Sequence, residues 1–116
     1  MVKKEEFYNL HSEFCKSIFN PKRLAIIDAL RNNSMNVNEL SGKLKTSQSN
    51  ISQHLGILKS KGLVKANIEG NCTYYHISNN KILEACDMVS EVIKEKYNND
   101  NKLISESMKS QEGFYE

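Results

Sequence analysis

Lys45-Thr46-Ser47-Gln48-Ser49-Asn50-Ile51-Ser52-Gln53-His54-Leu55-Gly56-Ile57-Leu58-Lys59-Ser60-Lys61-Gly62-Leu63-Val64 divides its apolar and polar residues between two sides of one helix. Ile51, Leu55 and Leu58 recur at i, i+4 and i+7, the spacing of a single buried stripe. Gln48, Ser49, Ser52, Gln53 and Lys59 fall on the opposite arc, which carries no Asp or Glu. An ordinary solvated helix face mixes both signs of charge, whereas a face that meets base edges and phosphates needs hydroxyls, amides and cations. Gln and Asn can pair bidentately with adenine, and Ser can serve either base class. The stretch therefore reads as a DNA-reading helix. The plainer alternative is a polar surface helix that touches nothing.

Upstream, Val37, Leu40 and Leu44 form a short i, i+3, i+7 stripe, and Ser47 stands where an N-cap for the next helix belongs. Two short helices joined by a tight turn make a helix-turn-helix. Downstream, Gly62 occupies the helix-ending position and Leu63-Val64-Lys65-Ala66-Asn67-Ile68 reads as a strand. Glu69-Gly70-Asn71 reads as a turn, and Thr73-Tyr74-Tyr75-His76-Ile77 as the β-branched and aromatic return strand. A hairpin attached directly to a reading helix is a wing. The expected fold is mainly α with a small β-hairpin.

The remaining helices follow from periodicity and caps. Residues 3 to 18 carry Phe7, Leu10, Phe14 and Ile18 at helical steps. Asn20-Pro21 is a helix start, Asn as cap and Pro at the first helical position, which predicts a second helix from about Pro21 to Arg31. It buries Leu24, Ile26 or Ile27, and Leu30, and Asn32-Asn33-Ser34 closes it. The last helix begins near Asn79-Asn80 and aligns Ile82, Cys86, Val89 and Ile93, with Ala85 and Val92 widening the stripe. The first and last helices carry more apolar surface than a small core can use, which predicts a homodimer built on them. A monomer whose terminal helices wrap their own core is the alternative. Residues 1–97 are read as the DNA-binding and dimerisation domain. Residues 98–116, with Leu103, Ile104, Met108, Phe114 and Tyr115, are read as a polar extension, frayed or weakly helical around 101 to 110.

At 116 residues the chain has the length of one domain. Its net charge of +2 conceals an asymmetry. Residues 20 to 78 hold eight Lys or Arg against three Asp or Glu, while residues 79 to 116 hold five against eight. A basic middle and an acidic end suit a domain that meets phosphate backbone with one region only. No leader-like apolar run opens the chain and no stretch is apolar enough to span a bilayer, so an intracellular, cytoplasmic protein with no membrane partner is expected. Three cysteines without a CxxC spacing argue against a disulfide framework. No cofactor motif is present: the sequence has no GxGxxG, P-loop or nucleophile elbow, and an enzyme is not expected.

The succession Asn20-Pro21-Lys22-Arg23-Leu24, Val37-Asn38-Glu39-Leu40, Ser47-Gln48-Ser49-Asn50-Ile51-Ser52-Gln53-His54-Leu55, Lys61-Gly62-Leu63-Val64 and Tyr74-Tyr75-His76-Ile77 resembles the arsenic-repressor (ArsR/SmtB-type) family of winged helix-turn-helix regulators. The resemblance spans roughly residues 14 to 96. It implies a homodimeric repressor of double-stranded DNA whose affinity drops when a metal or thiol reagent binds. It also implies where sensing residues would lie, and each such place departs from the pattern. The Cys-x-Cys positions before the turn are Asn36 and Asn38, and amides cannot replace thiolates for soft metals. The zinc positions of the last helix are Asn79, Lys81, Val92 and Glu95, and the paired sensing thiols fall at about Asp28 and Lys94.

The candidate base readers are therefore Gln48, Ser49, Ser52, Gln53 and His54, with Ser47 at the cap and Asn50 at the edge. Lys43, Lys45, Lys59 and Lys65 are candidate phosphate contacts, with Asn67, Asn71 and Thr73 helping from the wing. For the signal, Cys15 and Cys86 on the terminal helices are candidate sensing thiols, and His11 with Cys15 and Cys86 is the metal-site alternative. Plain packing is the ordinary role of such cysteines. An effector-independent architectural DNA-binding protein and a protein-interaction module remain as rival readings.

Overall fold

The computed structural model describes residues 3–98. Five helices and one hairpin follow in order: α1 (Lys4–Ile18), α2 (Pro21–Ala29), α3 (Val37–Leu44), α4 (Gln48–Ser60), β1 (Val64–Glu69), β2 (Cys72–Ile77) and α5 (Asn80–Lys96). The helix starts are set by short polar caps. Asn20 Oδ1 accepts from the backbone N–H of Lys22 and Arg23, Ser47 Oγ from Asn50 and Asn79 Oδ1 from Lys81. Asn36 opens α3 with a capping box, accepting from the Glu39 N–H at 2.8 Å while its own N–H donates to the Glu39 carboxylate at 3.0 Å.

The second helix ends at Ala29, two residues short of the expectation. Its last turn tightens there: Leu30 N–H reaches the carbonyls of Ile26 and Asp28, and Arg31 N–H that of Asp28. The fourth helix ends in a Schellman motif. Leu63 N–H donates to Leu58 C=O at 2.9 Å and Gly62 N–H to Lys59 C=O at 3.0 Å, with Gly62 at φ +76°. Leu58 and Leu63, which flank the motif, are both fully buried.

The core joins Ile26, Ile27 and Leu30 of α2 with Leu40 and Leu44 of α3, Ile51, Leu55 and Leu58 of α4, Leu63, Val64 and the first turn of α5. All three expected α2 positions among Ile26, Ile27 and Leu30 are buried, whereas Leu24 is only half-buried. The hairpin pairs Val64 with Ile77 through Glu69 with Cys72, so its turn is the two residues Gly70-Asn71 and Cys72 belongs to β2. Gly70 at φ +63° supplies the left-handed first position that a tight hairpin turn needs. A further antiparallel bridge ties Met35, just before α3, to Tyr75: each N–H donates to the other's carbonyl, at 3.1 and 2.9 Å.

The terminal helices contribute little to this core. Only Ser17 and Ile18 of α1 and Ile82 and Leu83 of α5 are buried. Phe7 remains 55% exposed and Leu10 58%, and on α5 Met88 is 66% and Val92 62% exposed. No helix among the described residues is long and apolar enough to cross a membrane. The expected polar extension, apart from its first residue, lies outside the described residues.

Candidate nucleic-acid interface

The turn between α3 and α4 is made without glycine. Lys45 takes the left-handed conformation, φ 53° and ψ 47°, which costs an ordinary L-residue about 1–2 kcal/mol. Hydrogen bonds offset this. Lys45 and Thr46 N–H both donate to Ser41 C=O, and Ser41 Oγ returns a bond to Thr46 C=O. The result fixes α4 against α3 and leaves the first turn of α4 at the surface.

On α4 the buried residues are Ile51, Leu55 and Leu58, and Gln48, Ser49, Ser52, Gln53 and Lys59 are exposed on the other side. Lys43, Lys45, Ser47 and Lys65 are also exposed. Gln48 Nε2 donates to Asn38 Oδ1 at 2.9 Å, a contact that unites the first turns of both helices. Asn50 is half-buried and its Oδ1 accepts from Thr46 Oγ1 at 3.4 Å, so it braces the turn as well as edging the open arc.

His54 departs from the expectation. It is half-buried, off the open arc, with Nδ1 3.2 Å from Arg23 Nη1. A guanidinium only donates, so Nδ1 is the acceptor and the ring proton sits on Nε2. Burial first, then the charges of Arg23 and Lys22, holds His54 below the usual histidine pKa. Arg23 itself donates to the carbonyls of Ser17 at 2.6 Å and Lys16 at 3.4 Å, at the C-terminus of α1. His54 therefore joins α4 to α1 and α2 through Nδ1.

In the wing, register decides the faces. Lys65, Asn67 and Glu69 share one face with their partners His76, Tyr74 and Cys72. Thr73 pairs with Ile68 and lies on the other face, in line with Ala66–Tyr75 and Val64–Ile77, and it is half-buried. The wing's polar face thus includes Tyr74 and His76, which strand alternation from Lys65 and Asn67 could have found. Asn71 is exposed in the turn.

The three cysteines are unbonded within the chain. Cys15 and Cys86 are half-buried, and Cys72 is exposed. Burial and then the neighbouring Asp87 push the Cys86 thiol above its ordinary pKa. Among the described residues, no three His, Cys, Asp or Glu side chains of one chain converge on a metal-sized site, so the His11, Cys15 and Cys86 set does not form within a subunit. The His11 ring stands edge-on to Phe7, with centroids 6.0 Å apart.

Residues 20–66 match the arsR family of bacterial regulatory proteins. An HTH-type transcriptional regulator of Methanocaldococcus jannaschii is 39% identical over 75% of this chain and 99% of its own length. The nodulation protein NolR of Rhizobium meliloti is 32% identical over 89% of this chain and 81% of its own. The solution structure of a homodimeric winged helix-turn-helix DNA-binding domain from Mycobacterium bovis, a possible ArsR-family regulator, superposes with a TM-score of 0.74 at 25% identity, covering 86% of this chain and 94% of that one. The helix order, the hairpin attached to α4 and these likenesses agree: the chain belongs to the arsR family of winged helix-turn-helix, DNA-binding transcriptional regulators.

Proposed function

We propose that this regulator acts as a symmetric homodimer that represses transcription by binding an imperfect inverted repeat. The observation that carries the reading is the pair of uncovered apolar stripes on α1 and α5. Covering several such side chains at about 1.5–3 kcal/mol each favours association strongly. A two-fold dimer presents two α4 helices to successive major grooves about 34 Å apart. Gln48, Ser49, Ser52 and Gln53 read bases there. Lys43, Lys45, Lys59 and Lys65 hold phosphates, aided by Asn67 and Asn71.

The signal is assigned to thiols. Cys15 and Cys86 lie on the two helices that bear the uncovered stripes, so a disulfide between them, formed when a two-electron oxidant such as peroxide or polysulfide takes up the electrons and the two thiol protons, would change how the subunits meet. Burial and the neighbouring Asp87 raise the Cys86 thiol, which keeps less of it as the reactive thiolate. A cytoplasmic setting supplies the reducing background such a switch needs.

Sedimentation at micromolar concentration tests the dimer, and a particle of about 13 kDa would overturn it. On DNA, Gln53→Ala should relax preference at particular base pairs by about 1–3 kcal/mol, while Lys59→Ala should weaken all sequences and flatten the salt dependence. Equal losses on specific and random duplexes for Gln53→Ala would remove it from the readers.

A further inference from the structure

We infer that Asn38 is a specificity-positioning residue, holding the Gln48 amide in one orientation so that a fixed acceptor–donor edge faces the base pair beneath it. The inference rests on the reading of Gln48 as a base contact. Its starting point is the 2.9 Å hydrogen bond from Gln48 Nε2 to Asn38 Oδ1 between two exposed side chains on different helices.

Both partners stand on fixed backbone. Asn38 lies in the first turn of α3, which the Asn36–Glu39 capping box closes at both ends. Gln48 is the first residue of α4, whose cap Ser47 bonds Asn50 N–H. The Ser41–Thr46 bonds lock the intervening turn. The Glu39 carboxylate is engaged in the capping box, so this corner spends its acid on the backbone.

A primary amide has two N–H bonds. One lies on the same edge as the carbonyl oxygen, and that edge pairs with adenine N6 and N7; the other points away. With Asn38 Oδ1 accepting from it, the Gln48 nitrogen is held toward α3 and the Gln48 carbonyl oxygen is left open to accept from a base. Without Asn38 the amide can turn over, presenting donor and acceptor in reverse order, and must be ordered anew at each binding event. Asn38 thus reads no base itself and acts through Gln48.

The experiment measures the full-length protein on duplexes selected from a randomised pool and on their single-base-pair variants, at fixed salt. Gln48→Ala locates the base pair that Gln48 reads. Asn38→Ala should reduce discrimination at that same base pair by about 2- to 10-fold, with thermal unfolding and the other positions unchanged. Asn38→Asp keeps the accepting oxygen, so discrimination should persist while its added negative charge weakens all sequences alike. The double variant should discriminate no worse than Gln48→Ala alone. If Gln48→Ala abolishes discrimination and Asn38→Ala leaves it intact, the brace is wrong and the reader stands. If Gln48→Ala changes no preference, the reader is wrong and the brace goes with it. A uniform loss for Asn38→Ala would make Asn38 a phosphate contact and overturn the inference.

Discussion

Arg23 donates to the Nδ1 of His54 across 3.2 Å while its other nitrogens hold the last carbonyls of α1, so one side chain joins α1, α2 and the reading helix. A proton on His54 would set two cations face to face. Burial first, and then this repulsion, make the folded protein resist that proton and hold His54 below the usual histidine pKa.

The sign of the pH dependence follows. Below about 6.5 the unfolded imidazole binds a proton that the folded one refuses, so folding stability falls as pH drops through that value and continues to fall until the folded ring also protonates. His54→Gln can still accept from Arg23 and has nothing to titrate. Urea midpoints at about pH 7.5 and 5.5 should drop further for the parent than for His54→Gln, and parallel drops would contradict the assignment.

Arg31 places two nitrogens on the two carboxylate oxygens of Asp87, at 2.9 and 2.8 Å, and bonds Asp28 at 3.0 Å. The fork fixes α5 to the end of α2. Both side chains are substantially exposed, so Asp87→Ala should cost only about 0.5–1 kcal/mol. Arg31 holds Asp87 below the usual carboxylate pKa, so this contribution is present above about pH 4 and is lost as pH falls through the folded value. The gap between parent and variant should narrow as urea titrations are carried below about pH 4.

Lys45 offers a test in which stability and binding part company. Its left-handed backbone suits glycine, so Lys45→Gly should stabilise the fold by up to about 1 kcal/mol. Losing a phosphate contact should at the same time weaken DNA binding and reduce the salt slope by about one. Tighter binding by the variant would exclude Lys45 from the phosphate contacts.

Alkylation should rank two of the thiols. Cys72 is exposed at the start of β2, whereas Cys86 is half-buried with a raised pKa, and only the thiolate reacts. Brief iodoacetamide treatment near pH 7, followed by peptide mass spectrometry, should label Cys72 well before Cys86. Equal rates would show that burial does not protect Cys86.

The parts of this fold that could be read from the sequence are those whose causes are local. Asn20, Ser47 and Asn79 cap helices because a short acceptor sits beside the N–H groups it must satisfy, and Gly62 ends α4 for an equally local reason. What was hidden is non-local. Arg31 and Asp87 are 56 positions apart, Arg23 and His54 are 31, and the Asn38–Gln48 bond needs the turn to form first. His54 was partly legible even so: it lies three residues after Ile51 and four before Leu58, on the flank of the buried stripe. The face of Thr73 was hidden as well, because register with Ile68 decides it and composition does not.

The wing is tied at both roots. Ser78 N–H bonds Leu63 C=O beside the end of α4, and the Met35–Tyr75 bridge fastens the middle of β2 to the residue that leads into α3. Lifting the hairpin off the body would rupture these bonds together with the packing of Val64, so no low-energy opening serves the wing alone. Amide protons at Met35 and Tyr75 should exchange with solvent water as slowly as those of α4, on the timescale of whole-domain unfolding. The direction in which the wing points at a duplex is then settled when the domain folds, before any DNA is met.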